Sequence, residues 1–495
     1  MANGTYFHDG EGWKPTHSRP PLRRPVVGRS GGAVYIAADY GVSPDAEDNT
    51  AAMQALIDAV GDKGGGVIWM PVGVYQFSAA SSRALSINVE TLLTPRNGVS
   101  IIGESITGTV IEVYGSTTEG AAWMSSLNSS VTEGCTFANF TVDLERETMG
   151  SYTHKGKAFY ISGIRDCVFR DLSLLNTPST ALGIDMLDNV AIDSVYVYRG
   201  GREWHDAKPG GAGIGIGTGK WEHENFVIRN CICDACGHFG IFLEDQGLFK
   251  AQPVRNNPKG QIITGNIVRN GRGYGIGIRG GKNVLVTGNN LYENLGGLYL
   301  DYGAKNVMIS GNLVAESSEA AVKFGVEDAR SGFDGFVCES IVVAGNTFVD
   351  NAMDVLTLRA PVGSHIADNY SIGSAAPTRI VLGSGDLTAG GKIMPDGSEA
   401  AQTDGLTTGY LDVSGIAGDL KITSTGTLSS IRVAQYDDSK GSLVTDAGLT
   451  DAAWTSPHVL TVQRLDGCAF IRIFYAPVDA GNPSDVQSIV IEAAD

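Results

Sequence analysis

Basic residues are few. The chain has 36 Lys and Arg against 54 Asp and Glu, a net charge of −18 and a pI of about 4.9. That balance excludes nucleic acid as a partner, because phosphate binding needs clustered Lys and Arg. Charge of either sign is thin, at 18% of residues, which suits a β-rich chain with many tight turns. Long apolar runs are missing as well. None reaches the roughly 20 residues of a membrane-spanning helix, so no membrane role is expected. The opening, "MANGTYFHDGEGWKP", has neither the basic stretch nor the apolar core of a Sec signal. The protein is expected to be made in the cytoplasm and released by lysis. Cysteine is sparse and odd in number: Cys135, Cys167, Cys231, Cys233, Cys236, Cys338 and Cys468. A disulfide framework is not expected from seven cysteines in so long a chain. Cys231 and Cys233 alternate onto one face of a strand, where a small buried residue fits, so no metal is expected there. No P-loop, HExxH or GxSxG motif is present, and "GRGYGIG" lies inside a strand repeat with no helix after it.

Glycine, by contrast, is abundant, at 66 of 495 residues. Repeats explain it. "IITGN", "LVTGN" and "MISGN" end at Asn266, Asn289 and Asn312, each 23 residues apart, and "VVAGN" ends at Asn346. "FVIRN", ending at Asn230, is an earlier copy. A second series precedes these: "GIGIG" at 213, "GIFLE" at 240, "GIGIR" at 275, "GLYLD" at 297 and "AVKFG" at 321. Short period-two strands with glycine corners and no helix fit one coil of a parallel β-solenoid. The Asn after each Gly is expected to stack as an amide ladder at a corner.

Before the repeats, Asp48, Asn49 and Thr50 are cap candidates for a helix with Met53, Leu56, Ile57 and Val60 on one face. That helix would cover the open end of the core. Asp39-Tyr40-Gly41, Asp48-Asn49-Thr50, Gly65-Gly66-Val67, Pro71, Gly73 and Tyr75 resemble the opening of pectate-lyase-superfamily β-helix proteins, including bacteriophage tailspikes. The resemblance implies an all-β fold: a right-handed parallel β-helix over 36–386, capped by an N-terminal helix. Residues 1–35 are similar to the short attachment segments of phage tail proteins. A linker is expected at 387–405, and an antiparallel β-sandwich at 406–495, serving trimerisation or carbohydrate binding.

The second series, stacked in register, gives the candidate site. Ile214, Ile241, Ile276, Leu298 and Val322 point in, as do Ile216, Leu243, Ile278, Leu300 and Phe324. One outward column reads Asp185, Gly215, Phe242, Gly277, Tyr299 and Lys323. The other reads Gly217, Glu244, Arg279, Asp301 and Gly325. Glu244 and Asp301 lie two coils apart, a spacing of about 10 Å that suits paired-carboxylate hydrolysis of a glycoside. Arg279 and Lys323 serve as anion clamps and Tyr299 as a stacking platform, with Phe242 beside it. Asp245, Glu327 and Asp328 sit in two longer loops expected to wall the groove, and Glu327 or Asp328 is an alternative second acid. Trp204 and His205 line its end. Glu222, His223 and Glu224 cannot all face one ion from a strand.

Together these imply a tailspike-like depolymerase that binds and cleaves a bacterial capsular or exopolysaccharide. The resemblance further implies a homotrimer on a virion tail, attached to the baseplate through the N-terminus. A polysaccharide lyase, with Arg279 or Lys323 neutralising a uronate, is one alternative. A non-catalytic receptor-binding spike is another. No cofactor is expected, although the lyase alternative admits a bound Ca2+.

Overall fold

A computed structural model describes residues 33–373, apart from 87–88, 128–130, 206–209, 220, 222, 247–259, 326–336 and 359–360, together with 6–8, 13–15 and parts of 379–493. Tyr6–His8 and Trp13–Pro15 pair antiparallel. The rest of the expected arm up to 32 lies outside the described residues.

The helix spans Thr50–Asp62 and buries Met53, Leu56, Ile57 and Val60. These four join the same apolar cluster as Ile68 and Met70 of the first coil, so the helix closes the end of the core. Asp48 fixes its start. One carboxylate oxygen accepts the Thr50 N–H at 2.9 Å and the Thr50 hydroxyl at 2.6 Å, and the other accepts the Ser81 hydroxyl at 2.6 Å. Burial acts to raise this carboxyl, but the donors from Ser81 and Thr50 outweigh it and hold the group below its ordinary value.

Beyond the helix the chain winds as parallel coils. One sheet runs from Val89–Leu93 through Phe159–Arg165, Leu182–Asp188, Ile214–Thr218, Phe239–Asp245, Tyr274–Arg279, Gly296–Asp301 and Ala320–Phe324 to Arg379–Leu382. The facing strands form a kinked second wall, and the kink has a backbone cause. Asn139, Asp171, Ser194, Asn230, Gly265, Gly288, Gly311, Gly345 and Asp368 fall in one column, all left-handed with φ of 51–67°. Glycine, Asn and Asp tolerate that conformation best, which is why the repeat carries Gly there.

The residue after each of these glycines builds the expected ladder. The backbone N–H and the side-chain amide of Asn266 both donate to the Asn289 side-chain oxygen, at 3.0 and 2.9 Å. Asn289 does the same to Asn312, Asn312 to Asn346, and Asn346 to Asn369. The earlier string "FVIRN" is offset by one residue. Asn230 takes the left-handed position, and Cys231 takes the ladder position, donating its N–H to Asn266 at 3.0 Å. Cys231, Cys233 and Cys236 are all buried in the core.

The expected linker at 387–405 is instead largely strand. Thr388–Ile393 pairs antiparallel with Glu399–Thr407. Its turn-rich composition belongs to a hairpin, and backbone pairing orders it despite the glycines. The chain's last strand, Val486–Ala493, adds antiparallel to Arg379–Leu382, so the coil sheet continues into the C-terminal region. A second antiparallel sheet contains Phe470–Pro477 and Leu428–Tyr436. Buried Leu420, Ile422 and Ile491 come from the first of these sheets, and Val433, Ile471 and Ile473 from the second.

Candidate functional site

The register of the coil sheet follows the sequence. Ile214, Ile241, Ile276, Leu298 and Val322 pair in succession and face the core, as do Ile216, Leu243, Ile278, Leu300 and Phe324. Outward, Gly215, Phe242, Gly277, Tyr299 and Lys323 form one column, and Gly217, Glu244, Arg279 and Asp301 the other. Asp185 changes columns. It pairs with Gly217, and Gly183 with Gly215, so Asp185 heads the acidic column and Tyr160 heads the aromatic one. The offset is two residues, Gly183 pairing with Gly215 rather than with Gly213.

Outward does not mean exposed at the lower coils. Asp301 is 2% exposed, and its carboxylate accepts the Arg279 Nε–H at 3.3 Å. The Arg279 guanidinium is itself buried, 5.5 Å from the Phe242 ring centroid and 4.8 Å from that of Tyr302. Asp301 is therefore a buried support for Arg279 rather than an acid facing an open groove. Tyr299 is no exposed platform either. Its ring is fully buried 5.0 Å from Tyr274, and its hydroxyl donates to the Gly325 carbonyl at 3.2 Å. Phe239, Tyr274, Tyr299 and Ala212 form a small apolar cluster on the outside of the coil, with Phe242 packed against it. Such large rings bury more area than a sheet face leaves open, so they close over their own column. Lys323 is paired with Glu319 at 2.9 Å and lies over the Tyr274 and Tyr299 rings. Asp245 is buried on the inward side. Glu327 and Asp328 lie outside the described residues, as do most of both loops expected to wall the groove.

The upper coils differ. Tyr160, Asp185, Gly215, Phe242 and Glu244 are each half-buried, and Gly215 and Gly217 leave the sheet without side chains between them. Gly217 is bare for a reason. A Cβ there would collide with Asp185 Oδ1 and stand 2.5 Å from Gln246 Nε2. The Asp185 and Gln246 side chains thus lean over Gly217 from neighbouring strands, with Glu244 on the strand below. Lys157 reaches the same place. Its Nζ lies 3.7 Å above the Tyr160 ring centroid and across Gly183, where a Cβ would be 3.2 Å away. Burial pushes the Lys157 ammonium down to about 8, although Asp185 and Glu244 act in the opposite direction. Burial, with the same two acids, pushes the Tyr160 hydroxyl well above its ordinary value. The sequence reading missed Lys157, Tyr160 and Gln246. The signal available was the run of outward glycines, Gly183, Gly215 and Gly217, marking where neighbouring side chains must lie.

An aromatic edge borders this cleft. The Trp204 and His238 rings stack 4.5 Å apart at 8°, and His238 lies 6.1 Å from Phe242. His205 meets Tyr152 at 5.5 Å, and His154 meets Tyr160 at 6.0 Å. Trp204 lies flat against Gly211, a left-handed glycine at φ 85° where a Cβ would be 2.5 Å from the indole. Arg272 pins the turn by donating to the Gly201 and Trp204 carbonyls at 3.0 and 3.1 Å. Trp204 is thereby linked through His238 to Phe242. Glu224 instead holds backbone, accepting N–H groups of Gly219 and Trp221 at 2.5 and 3.2 Å.

Comparison with known proteins places the fold. A family model described as the right handed beta helix region matches residues 254–373. The chain is a right-handed parallel β-helix protein. Two mannuronan C5-epimerases of Azotobacter vinelandii, AlgE1 and AlgE3, are 30% identical to it over 142 residues, 28% of this chain. The match spans only 10% and 7% of those relatives' own length. Among solved structures, a family 28 exopolygalacturonase of Yersinia enterocolitica resembles the β-helix with a TM-score of 0.51 and 13% identity, over 70% of this chain and 76% of that one. A tailspike protein mutant of E. coli bacteriophage HK620 aligns over 99% of this chain and 96% of that one, with a TM-score of 0.38 and 12% identity.

Proposed function

We propose that this β-helix protein cleaves a polysaccharide by hydrolysis, with Asp185 and Glu244 as the acid pair. The observation that carries the reading is the bare Gly217 between them, over which the Asp185 carboxylate leans. Strands two apart put the two backbones about 10 Å from each other, and the carboxyls of inverting glycosidases stand roughly 6.5–9.5 Å apart. Lys157 acts on both acids, and Arg279 acts on Glu244 as well. The extra cation favours Glu244 as the ionised base and Asp185 as the acid. Asp185 then gives its proton to the glycosidic oxygen as the C–O bond breaks. Glu244 takes a proton from the water whose oxygen joins the anomeric carbon. Phe242, Trp204 and His205 supply the stacking edge.

The polysaccharide relatives and the tailspike-like opening of the sequence support a glycan from a bacterial surface. We place the protein on a phage tail as a homotrimer, with the same cleft serving receptor binding, on the strength of that opening alone. Polygalacturonate, alginate and purified capsular polysaccharides form the test panel. New reducing ends without absorbance near 235 nm support hydrolysis, and loss of those ends on Glu244→Gln supports the site. Binding with no product on any of them would leave an adhesin. A second reading is proton abstraction from a uronate, by elimination or epimerisation. The juxtaposition of Lys157 and Tyr160 favours it, and absorbance at about 235 nm or an altered C5 configuration would select it.

A further inference from the structure

An acid and a base that act across a glycosidic bond stand on opposite faces of the sugar ring. Asp185 and Glu244 lie above and below Gly217 along the stack of coils. A glycan held between them therefore runs across the stack, in the direction of the strands. Toward the strand starts it meets Phe242, whose partner Gly215 is two residues before Gly217, and then His238 and Trp204. Toward the strand ends it meets a second tryptophan, Trp221. That residue is half-buried, and its indole lies over the Arg165 guanidinium, 5.2 Å from ring centroid to cation. Arg165 ends the strand Phe159–Arg165 and pairs in register with Asp188, three residues beyond Asp185. Three residues of strand span about 10 Å, so this indole stands roughly that far along the coil face from the acids.

The loop that presents Trp221 is fixed at several points. The buried Glu224 carboxylate accepts the Gly219 and Trp221 N–H groups at 2.5 and 3.2 Å. The Gln261 side-chain amide donates to the Glu224 carbonyl at 3.0 Å, and that of Asn225 donates to Asp188 at 3.1 Å. A buried carboxylate is costly unless it is hydrogen-bonded, and here its bonds hold the main chain that carries the indole. Covering the Arg165–Glu133 pair would not call for that scaffold, because both partners are more than two-fifths exposed and such pairs contribute little.

We propose that Trp221 is a substrate-binding residue, its indole backed by Arg165 and serving as the platform for a sugar ring on the side of the acids opposite Phe242 and Trp204. The ligand is then a glycan chain that spans both ends of the cleft, with a ring held on each side of the scissile bond. The inference rests on Asp185 and Glu244 being the catalytic acids.

The test uses the whole protein with polygalacturonate, alginate and the capsular polysaccharides. Affinity electrophoresis reads binding, and reducing-end release reads kcat and KM on any polymer that is cleaved. Trp221→Ala weakens binding and raises KM roughly 10-fold, with kcat within about twofold, because the platform is remote from the reacting atoms. Trp221→Phe retains most of the affinity, whereas Trp221→Leu, apolar but not flat, does not. Thermal melts confirm that each variant is folded. Wild-type binding and KM in Trp221→Ala, or a Leu variant equal to the Phe variant, overturns the inference. Asp185→Asn and Glu244→Gln are run alongside. If both stay active, the acid pair is wrong whatever Trp221→Ala does. If both are inactive while Trp221→Ala matches the wild type, only the Trp221 platform fails. Retention of the wild type by none of these polymers overturns both readings.

Discussion

Glu147 shows what a single buried group does at the edge of the cleft. It is fully enclosed, with one oxygen accepting the Ala121 N–H at 2.8 Å and the other without a hydrogen-bond partner. Burial raises its carboxyl to about 7, partly offset by the Ala121 N–H and by Arg202. The folded value therefore lies above the unfolded one. The associated stability is fully present below about pH 4.5 and is lost as pH rises through about 7. A shift of that size corresponds to about 3 kcal/mol. In Glu147→Gln this pH dependence disappears. Urea unfolding at pH 4.5 and 8 should show the variant gaining about that much relative to wild type at the higher pH. Asp301 behaves differently. Asp301→Asn strands the buried Arg279 charge, so it should cost about 3 kcal/mol in the same measurement. Its effect on kcat should be smaller than that of Glu244→Gln, because Asp301 is buried against Arg279.

At the scale of the element, the unit is the coil, and its corner is held by the asparagine ladder. Asn289 accepts two bonds from Asn266 and donates two to Asn312, and its amide also reaches the Ile263 carbonyl at 3.0 Å. Asn289→Ala leaves the Asn266 N–H without its acceptor and the Ile263 carbonyl without the Asn289 amide. A loss of about 2–4 kcal/mol is expected by chemical denaturation, with hydrogen exchange quickening in the coils next to it rather than throughout. This ladder was legible in the sequence because its period and its left-handed glycine recur together. The inward columns were legible for a similar reason: alternation fixes the face once the register is known. The failures came from what alternation cannot carry. It places Tyr299 and Asp301 outside the coil, but not whether the Phe239 and Tyr274 rings cover Tyr299 or Arg279 covers Asp301. It could not place Lys157, which enters from a loop, and it set Asp185 in the wrong column where the chain shifts by two residues before Gly217.

For the molecule as a whole, the helix Thr50–Asp62 closes one end of the core, and the coil sheet passes into an antiparallel C-terminal region at the other. Strand composition and the turn-rich stretch after 386 announced that region, within which Thr388–Ile393 pairs with Glu399–Thr407. Among the described residues, Tyr160, Asp185, Gly215 and Glu244 are half-buried on the coil face, while the aromatic cluster below is covered. The proposed chemistry therefore lies at Asp185, Gly217 and Glu244 rather than at Asp301. The most direct measurement is reducing-end release from the cleaved polysaccharide by wild type, Asp185→Asn, Glu244→Gln and Asp301→Asn, each verified as folded. The account predicts losses of roughly 10²–10⁴-fold for the first two variants and a smaller loss for Asp301→Asn. Full activity in Asp185→Asn with none in a folded Asp301→Asn would contradict it.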